Sequence, residues 1–320
     1  MQSTFRTLFK MTRPINIVIA IITLLIGYTL LHYFPSIPIL IVQSLGFATA
    51  IGFANIQNDI LDLESDKQNC PERPLVTGKV SVKTARKAWI TLAIAMLVCG
   101  LLDTVFQCFH VAQVVGDWDN VLAFGLVGVF IISFPIWFFA LLGALLTTYN
   151  RKLKHIPLLK NMTVALLCTT PLLYAMQYYF NFAGSFAPEE SLGKIMPAIL
   201  FAFLLTSARE IYKDLEDETG DLKAGIMTFP LIAGAKTARR LAGAIILFTW
   251  ISLPVPVFFM DRLFDYNYPP LFLVLTAATL TPSFAVIIWS AHRQNYHRAQ
   301  SITKIAMFLG LVALLICALI

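Results

Sequence analysis

Two stretches of this 320-residue chain gather carboxylates at helical spacing. The first reads Asn55-Ile-Gln-Asn58-Asp59-Ile-Leu-Asp62-Leu-Glu-Ser-Asp66, and the second Arg209-Glu210-Ile-Tyr-Lys213-Asp214-Leu-Glu-Asp217-Glu-Thr-Gly-Asp221. Asn55, Asp59, Asp62 and Asp66 match Glu210, Asp214, Asp217 and Asp221 offset for offset, in steps that place each set on one helix face. Like charges aligned this way repel, so something positive must compensate. Carboxylate and amide oxygens are hard ligands suited to Mg²⁺, which prefers to share its shell with phosphate oxygens. Cations interleave with the acids: Lys67, Arg73, Arg209 and Lys213. Arg73 lies in Cys70-Pro-Glu-Arg-Pro74, a proline-flanked turn that can aim a guanidinium at phosphate. One motif alone reads equally well as a solvated loop. Two at matched offsets, each followed by a Lys-Thr-Ala-Arg run (83–86 and 236–239), favour a metal–diphosphate site and an internal duplication.

The elements that must position these groups are membrane helices. Hydrophobic residues make up 58% of the chain and charged residues 13%, where soluble chains carry about a quarter charged. Mean hydropathy is +0.75. This composition excludes a soluble enzyme, a nucleic-acid-binding domain and a disordered regulator. The five cysteines form no CxxC pair, and the five histidines no HExxH arrangement, which sets aside redox and zinc chemistry. Apolar runs predict spans at Ile15–Tyr33, Ile39–Ile56, Ala88–Leu102, Val121–Thr147, Met162–Phe180, Ile195–Thr206, Leu241–Met260, Leu271–Trp289 and Ile305–Ile320. The expected fold is all-α: a multi-pass membrane bundle of nine transmembrane helices with an internal repeat. None of the runs alternates as a barrel strand would.

Charge orients these spans. With the N-terminus cytoplasmic, 22 of the 24 Lys and Arg fall in inside segments, leaving Lys194 and Arg262 outside. Both acidic motifs then lie on the cytoplasmic side of the cell membrane. The outer acids Asp103, Asp117, Asp119, Glu189, Glu190, Asp261 and Asp265 read as solvated loop residues.

The first motif with Arg73-Pro74, and the second with Gly225 and Thr228-Phe-Pro230, resemble the UbiA superfamily of intramembrane prenyltransferases. The likeness is greatest to its digeranylgeranylglyceryl phosphate synthase branch. It extends to Arg13-Pro14-Ile-Asn16, to Tyr149 through Asn161 and to Lys304-Ile-Ala-Met307, so one domain covers residues 1–320, with motifs at 55–74 and 209–230. Two positions depart from the pattern: Leu153 stands where the family often has a lysine four residues after Tyr149, between Lys152 and Lys154, and Lys160 stands where the branch usually has glycine. The resemblance implies that Asn55, Asp59, Asp62, Asp66, Asp214, Asp217 and Asp221 bind Mg²⁺ and diphosphate. It also implies that Arg73 and Lys213 neutralise the leaving group, and that Asn58, Arg209 and Tyr149 contact substrate.

The expected activity is therefore Mg²⁺-dependent transfer of a prenyl group, geranylgeranyl above all, from a prenyl diphosphate donor to a lipophilic acceptor, favoured to be geranylgeranylglyceryl phosphate. A water-excluding lipid-embedded cavity suits the carbocation that such chemistry generates. Membrane lipids are the other expected partners; no nucleic acid and no obligate protein partner is expected. An aromatic quinone precursor or a chlorophyllide-like acceptor is the alternative within this chemistry. An ion-coupled secondary transporter is the alternative of another class, although it would place its charges nearer the bilayer midplane.

Overall fold

A computed structural model describes residues 4–115, 132–182, 188–223 and 225–319. The described residues are all-helical and fall into two compact units. One comprises residues 1–23 and 34–152, the other residues 24–33 and 153–320.

The first unit opens with α1 (Thr4–Met11) and α2 (Pro14–Leu30), whose later residues belong to the second unit. The two helices are bent by 51°. Pro14 cannot donate a backbone hydrogen bond across the junction, and Arg13 beside it adopts a left-handed φ of 55°. Next come α3 (Ile37–Leu61), α4 (Leu63–Asn69), α5 (Val82–Val115) and α6 (Phe134–Arg151). Glycine allows α3, α5 and α6 to approach closely: Gly46 faces the Phe139 ring, and a Cβ on Gly100 would meet the Pro135 carbonyl at 3.1 Å. Phe47, Phe138 and Phe139 pack edge to face in the space so defined.

The second unit holds α7 (Leu159–Phe182), α8 (Pro188–Glu216), α9 (Glu218–Lys223), α10 (Phe229–Ala233) and α11 (Ala235–Ser252). It ends with α12 (Val255–Phe258), α13 (Asp261–Phe264), α14 (Pro270–His292) and α15 (Tyr296–Ala318). Its core joins Leu205, Ala208, Ile211, Tyr212 and Leu215 of α8 to Ala242, Ile246, Phe284, Ile287, Ala299 and Ala306 of α11, α14 and α15.

Among the described residues six helices are long and apolar enough to cross a membrane: α3, α5, α8, α14, α15, and α11 taken through Phe258. The bent α1–α2 pair makes a seventh. Nine spans were expected. α6 and α7 lie on the fourth and fifth apolar runs without meeting the same length and apolarity; the start of the fourth, residues 121–131, lies outside the described residues.

One expectation is overturned. Asp103 is not a solvated loop residue, because α5 continues past the expected end of its span and encloses it completely (0% exposed). There it accepts hydrogen bonds from Gln107 Nε2 at 3.0 Å and Gln43 Nε2 at 3.5 Å. Hydropathy ends a span at the first charge, whereas a helix continues wherever neighbouring helices satisfy that charge. Asp117 and Asp119 lie outside the described residues.

Candidate active site: two interrupted helices

Both motifs are built the same way, and not as the single uninterrupted helix face that their spacing suggested. α3 ends at Leu61 and α4 starts at Leu63, leaving Asp62 at the break with φ −89° and ψ 4°. α8 ends at Glu216 and α9 starts at Glu218, leaving Asp217 at the break. The backbone ladder runs across each one. Asp62 N–H donates to Asn58 O at 2.9 Å and Asp66 N–H to Asp62 O at 2.8 Å. Asp217 N–H donates to Lys213 O and Asp221 N–H to Asp217 O, both at 2.9 Å. The regular helix is therefore interrupted at the middle aspartate of each motif while the i→i−4 bonds into and out of that residue are kept. The two Lys-Thr-Ala-Arg runs likewise open α5 and α11 at equivalent positions.

In the first motif Asp59 and Asp66 are buried, 7% and 6% exposed, and Asp62 is half-exposed. One guanidinium serves both buried carboxylates: Arg73 Nη1 lies 3.1 Å from Asp59 Oδ1 and 2.6 Å from Asp66 Oδ2. Arg73 N–H bonds to Cys70 O, and Thr77 N–H to Arg73 O, so the proline-flanked turn holds the arginine in place. Burial works against its charge, and Asp59 and Asp66 outweigh it, so the guanidinium is held charged more firmly than usual. Arg13, from the strained residue before Pro14, reaches Asp59 at 3.5 Å. Asn55 donates to Thr12 O at 3.0 Å, tying α3 to the α1–α2 bend. Asn58 is half-exposed on α3, and Tyr149 is half-buried in the last turn of α6.

In the second motif Asp214 is buried (3% exposed) between Lys160 Nζ at 2.6 Å and Asn161 Nδ2 at 3.0 Å. Lys213 is exposed, and Arg209 pairs with Glu210 on the same helix. Asp217 is exposed, and partial desolvation shifts its carboxyl upward from its ordinary value, with Lys213 opposing and Glu216 and Asp214 reinforcing the shift. Asp221 rises further, to about 6, chiefly through burial, with Lys160 opposing and Asp214 and Asp217 reinforcing the shift. Glu216 receives His297 Nδ1 at 2.8 Å and Gln300 Nε2 at 3.1 Å, which fastens the end of α8 to the start of α15.

Sequence reasoning missed two sets of partners. Lys160 and Asn161 clasp Asp214; the signal was a cation standing where the branch pattern has glycine. Asn150, buried beside Tyr149, donates to Ala54 O at 2.9 Å and Gln57 Oε1 at 3.0 Å, joining α6 to α3 one turn before Asp59. Gln57 was visible inside the motif, but its partner was not.

Among the described residues no three acidic, His or Cys groups already converge as a metal cage. Side-chain cations take that place, Arg73 on Asp59 and Asp66, and Lys160 on Asp214. Buried oxygen ligands that recruit positive charge, with no soft ligand among them, fit a hard cation such as Mg²⁺.

A model of the UbiA prenyltransferase family matches residues 19–114 and 120–317. The chain is 29% identical over 317 residues to the digeranylgeranylglyceryl phosphate synthase of Thermococcus kodakarensis, covering 99% of each chain. It is 30% identical over 318 residues to that of Thermococcus gammatolerans, covering 98% of this chain and 99% of the relative. A solved digeranylgeranylglyceryl phosphate synthase structure shares the fold with a TM-score of 0.67 at 22% identity over 98% of both chains. A UbiA homologue from Archaeoglobus fulgidus, bound to GPP and Mg²⁺, superposes with a TM-score of 0.58 at 14% identity over 96% of this chain and 99% of its own. Apolar spans, two acid-lined helix breaks and a family match running through both units agree: this chain is an integral membrane protein belonging to the UbiA prenyltransferase family.

Proposed function

We propose that this chain transfers a geranylgeranyl group from geranylgeranyl diphosphate to geranylgeranylglyceryl phosphate, with Mg²⁺ as cofactor. The observation that carries the reading is the equivalent construction of the two motifs, each with a helix break at its central aspartate and a buried carboxylate held by a lysine or arginine. The choice of acceptor follows the relatives, which are digeranylgeranylglyceryl phosphate synthases matched over nearly their full lengths.

In this reading Asn55, Asp59, Asp62, Asp66, Asp214, Asp217 and Asp221 hold Mg²⁺ and the donor diphosphate. Arg73 and Lys213 neutralise the leaving group, and Asn58, Arg209 and Tyr149 contact substrate. When bound, Mg²⁺ supplies positive charge to the diphosphate oxygens as the bond to the prenyl carbon breaks. That bond's electron pair leaves with diphosphate, the acceptor hydroxyl oxygen bonds to the same carbon, and the hydroxyl proton is released. Fixed cations such as Arg73 assist because their orientation costs nothing at the moment of bond breaking. A metal held by Asp59, Asp66 and Asp214 would take the place of Arg73 and Lys160 on those oxygens, and would leave the Arg73 guanidinium, held by its turn, for phosphate oxygens. A single domain over residues 1–320, arisen by duplication, accounts for the matched backbones of the two motifs. The split of basic residues supports an inside N-terminus and both motifs open to the cytoplasm, where a water-soluble diphosphate head is delivered.

The test is an acceptor screen with purified protein, labelled geranylgeranyl diphosphate and Mg²⁺. Product with the glycerol phosphate lipid, lost in EDTA and regained with Mg²⁺, is the expected result. Turnover with an aromatic acid alone, or full activity after chelation, refutes it.

A further inference from the structure

The seam between α8 and α15 carries a second cationic feature, apart from the aspartates. Glu216 meets His297 and Gln300 at one end of the seam. Further along, Ala198, Ala202 and Leu205 of α8 line a cleft together with Met307, Gly310 and Leu314 of α15. The two helices are therefore antiparallel, with residue numbers falling along α8 as they rise along α15. Arg209 is seven residues, about 10 Å, from Glu216, and Lys304 is the same seven residues from His297. This register sets Arg209 and Lys304 at one level, and Lys304, exposed on α15, is acted on by Arg209 and Lys213 and, in the opposite sense, by Glu210 and Glu216.

Three cations, Arg209, Lys213 and Lys304, thus share this end of the seam with two carboxylates, Glu210 and Glu216, which leaves an excess of positive charge there. The acid in contact with Arg209 is Glu210, and the Arg209 Nε is buried without a hydrogen-bond partner. Lys304 has no carboxylate within salt-bridge distance among the described residues, and Glu216 is engaged by His297 and Gln300. The cleft begins one turn beyond this pair, at Leu205 and Met307. It is walled almost wholly by apolar groups, and its Thr249 and Thr276 hydroxyls are spent on their own helices. A cation pair opening onto an apolar cleft along one seam has the shape of a site for an anionic amphiphile.

We infer that Arg209 and Lys304 bind the phosphate monoester of the acceptor lipid, and that the α8–α11–α14–α15 cleft takes the start of its apolar tail. The inference rests on the phosphate-lipid acceptor proposed above and assigns Lys304 and the cleft to it. Arg209 is about 12 Å along α8 from Asp217, too far for one diphosphate to occupy both positions and far enough for a second phosphate. Lys304 would thus select acceptors carrying a phosphate over neutral lipid alcohols.

The experiment measures KM for donor and acceptor separately, with full-length protein in lipid nanodiscs, Mg²⁺ and geranylgeranyl diphosphate. The acceptors are geranylgeranylglyceryl phosphate, the same lipid without its phosphate, a short-chain glyceryl phosphate ether and an aromatic acid. Lys304→Gln should raise KM for the phosphate lipid about tenfold or more, as loss of a charge-assisted contact does, and leave the donor KM within about twofold. Its preference for the phosphate lipid over the alcohol should shrink equally, and Lys304→Arg should retain that preference. Gly310→Leu, whose Cβ has room beside Leu280, should raise KM for the long-chain acceptor and spare the short one. An unchanged acceptor KM in Lys304→Gln, or a donor KM that rises in parallel, overturns the assignment while the acceptor reading stands. Wild-type protein that ignores the phosphate lipid and turns over the aromatic acid overturns both.

Discussion

Arg73 bridges two buried carboxylates, which makes its removal a quantitative test of how the first motif is held and what the metal replaces. Arg73→Ala leaves Asp59 and Asp66, each less than a tenth exposed, with Arg13 at 3.5 Å as the remaining ion-pair partner of Asp59. Breaking a buried pair by deleting one partner costs about 3–5 kcal/mol. The Arg73 side chain is 28% exposed and water screens part of that interaction, so the lower end, about 3 kcal/mol, is the expected loss. At the ~2–4 °C per kcal/mol typical of chains of roughly this size, the metal-free variant should melt some 6–12 °C below wild type. Mg²⁺ should then recover a larger increment in the variant than in wild type, because it no longer competes with a guanidinium for the same oxygens. The assay is intrinsic-fluorescence melting in detergent or nanodiscs, with EDTA and then with a Mg²⁺ series. Equal melting of the two proteins in EDTA, or an equal Mg²⁺ increment, refutes the reasoning. Prenyl transfer by the variant should stay low even where Mg²⁺ restores its stability, since the leaving diphosphate has lost a cation.

Asp62→Ala and Asp217→Ala, at the two helix breaks, should each lower turnover at least about a hundredfold with membrane insertion intact; near-normal turnover in either removes its motif from the site. Asp221 titrates near 6 in the metal-free chain, above its ordinary 3.8, so the folded protein binds a proton there that the unfolded chain has already released. That contribution to stability is full below about pH 4 and fades as pH rises through 6, whereas Mg²⁺ must displace the proton. Apparent Mg²⁺ affinity should thus fall below about pH 6, by up to about tenfold per unit, and calorimetric titration at pH 5 and 7 giving equal affinities counts against Asp221 as a ligand. Gly46→Ala places a Cβ 2.9 Å from two Phe139 ring carbons and should destabilise the first unit by about 1–3 kcal/mol; an unaltered melting curve would show that α3 and α6 can separate freely. Cysteines at Ser65 and Thr219, in a chain without the native five, should react with an impermeant thiol reagent from one side of the membrane only, the same side for both. Labelling from opposite sides would break the single-site reading.

Hydropathy and spacing are local properties, and what depends on them alone was legible in the sequence. The apolar runs predicted a helical membrane protein, and the four-three-four spacing singled out the two motifs before any contact was known. Family resemblance likewise resides in short motifs such as Asn58-Asp59 through Asp66. The helix breaks at Asp62 and Asp217 were not legible, because residues on either side keep helical spacing and the ladder runs across the gap. Nor were the partners. Lys160 and Asp214 are 54 residues apart, Arg13 and Asp59 46, and Asn150 and Gln57 93. Asp103 shows the same divide from the other direction. Its sequence neighbours suggested the end of a span, but Gln43, 60 residues away on α3, supplies a buried donor that allows the helix to carry a carboxylate through its interior. A side chain's type and periodicity are written along the chain, but whether its charge meets water, a metal or another side chain is decided by which helix packs beside it, and that is settled only when distant segments bury their apolar faces together.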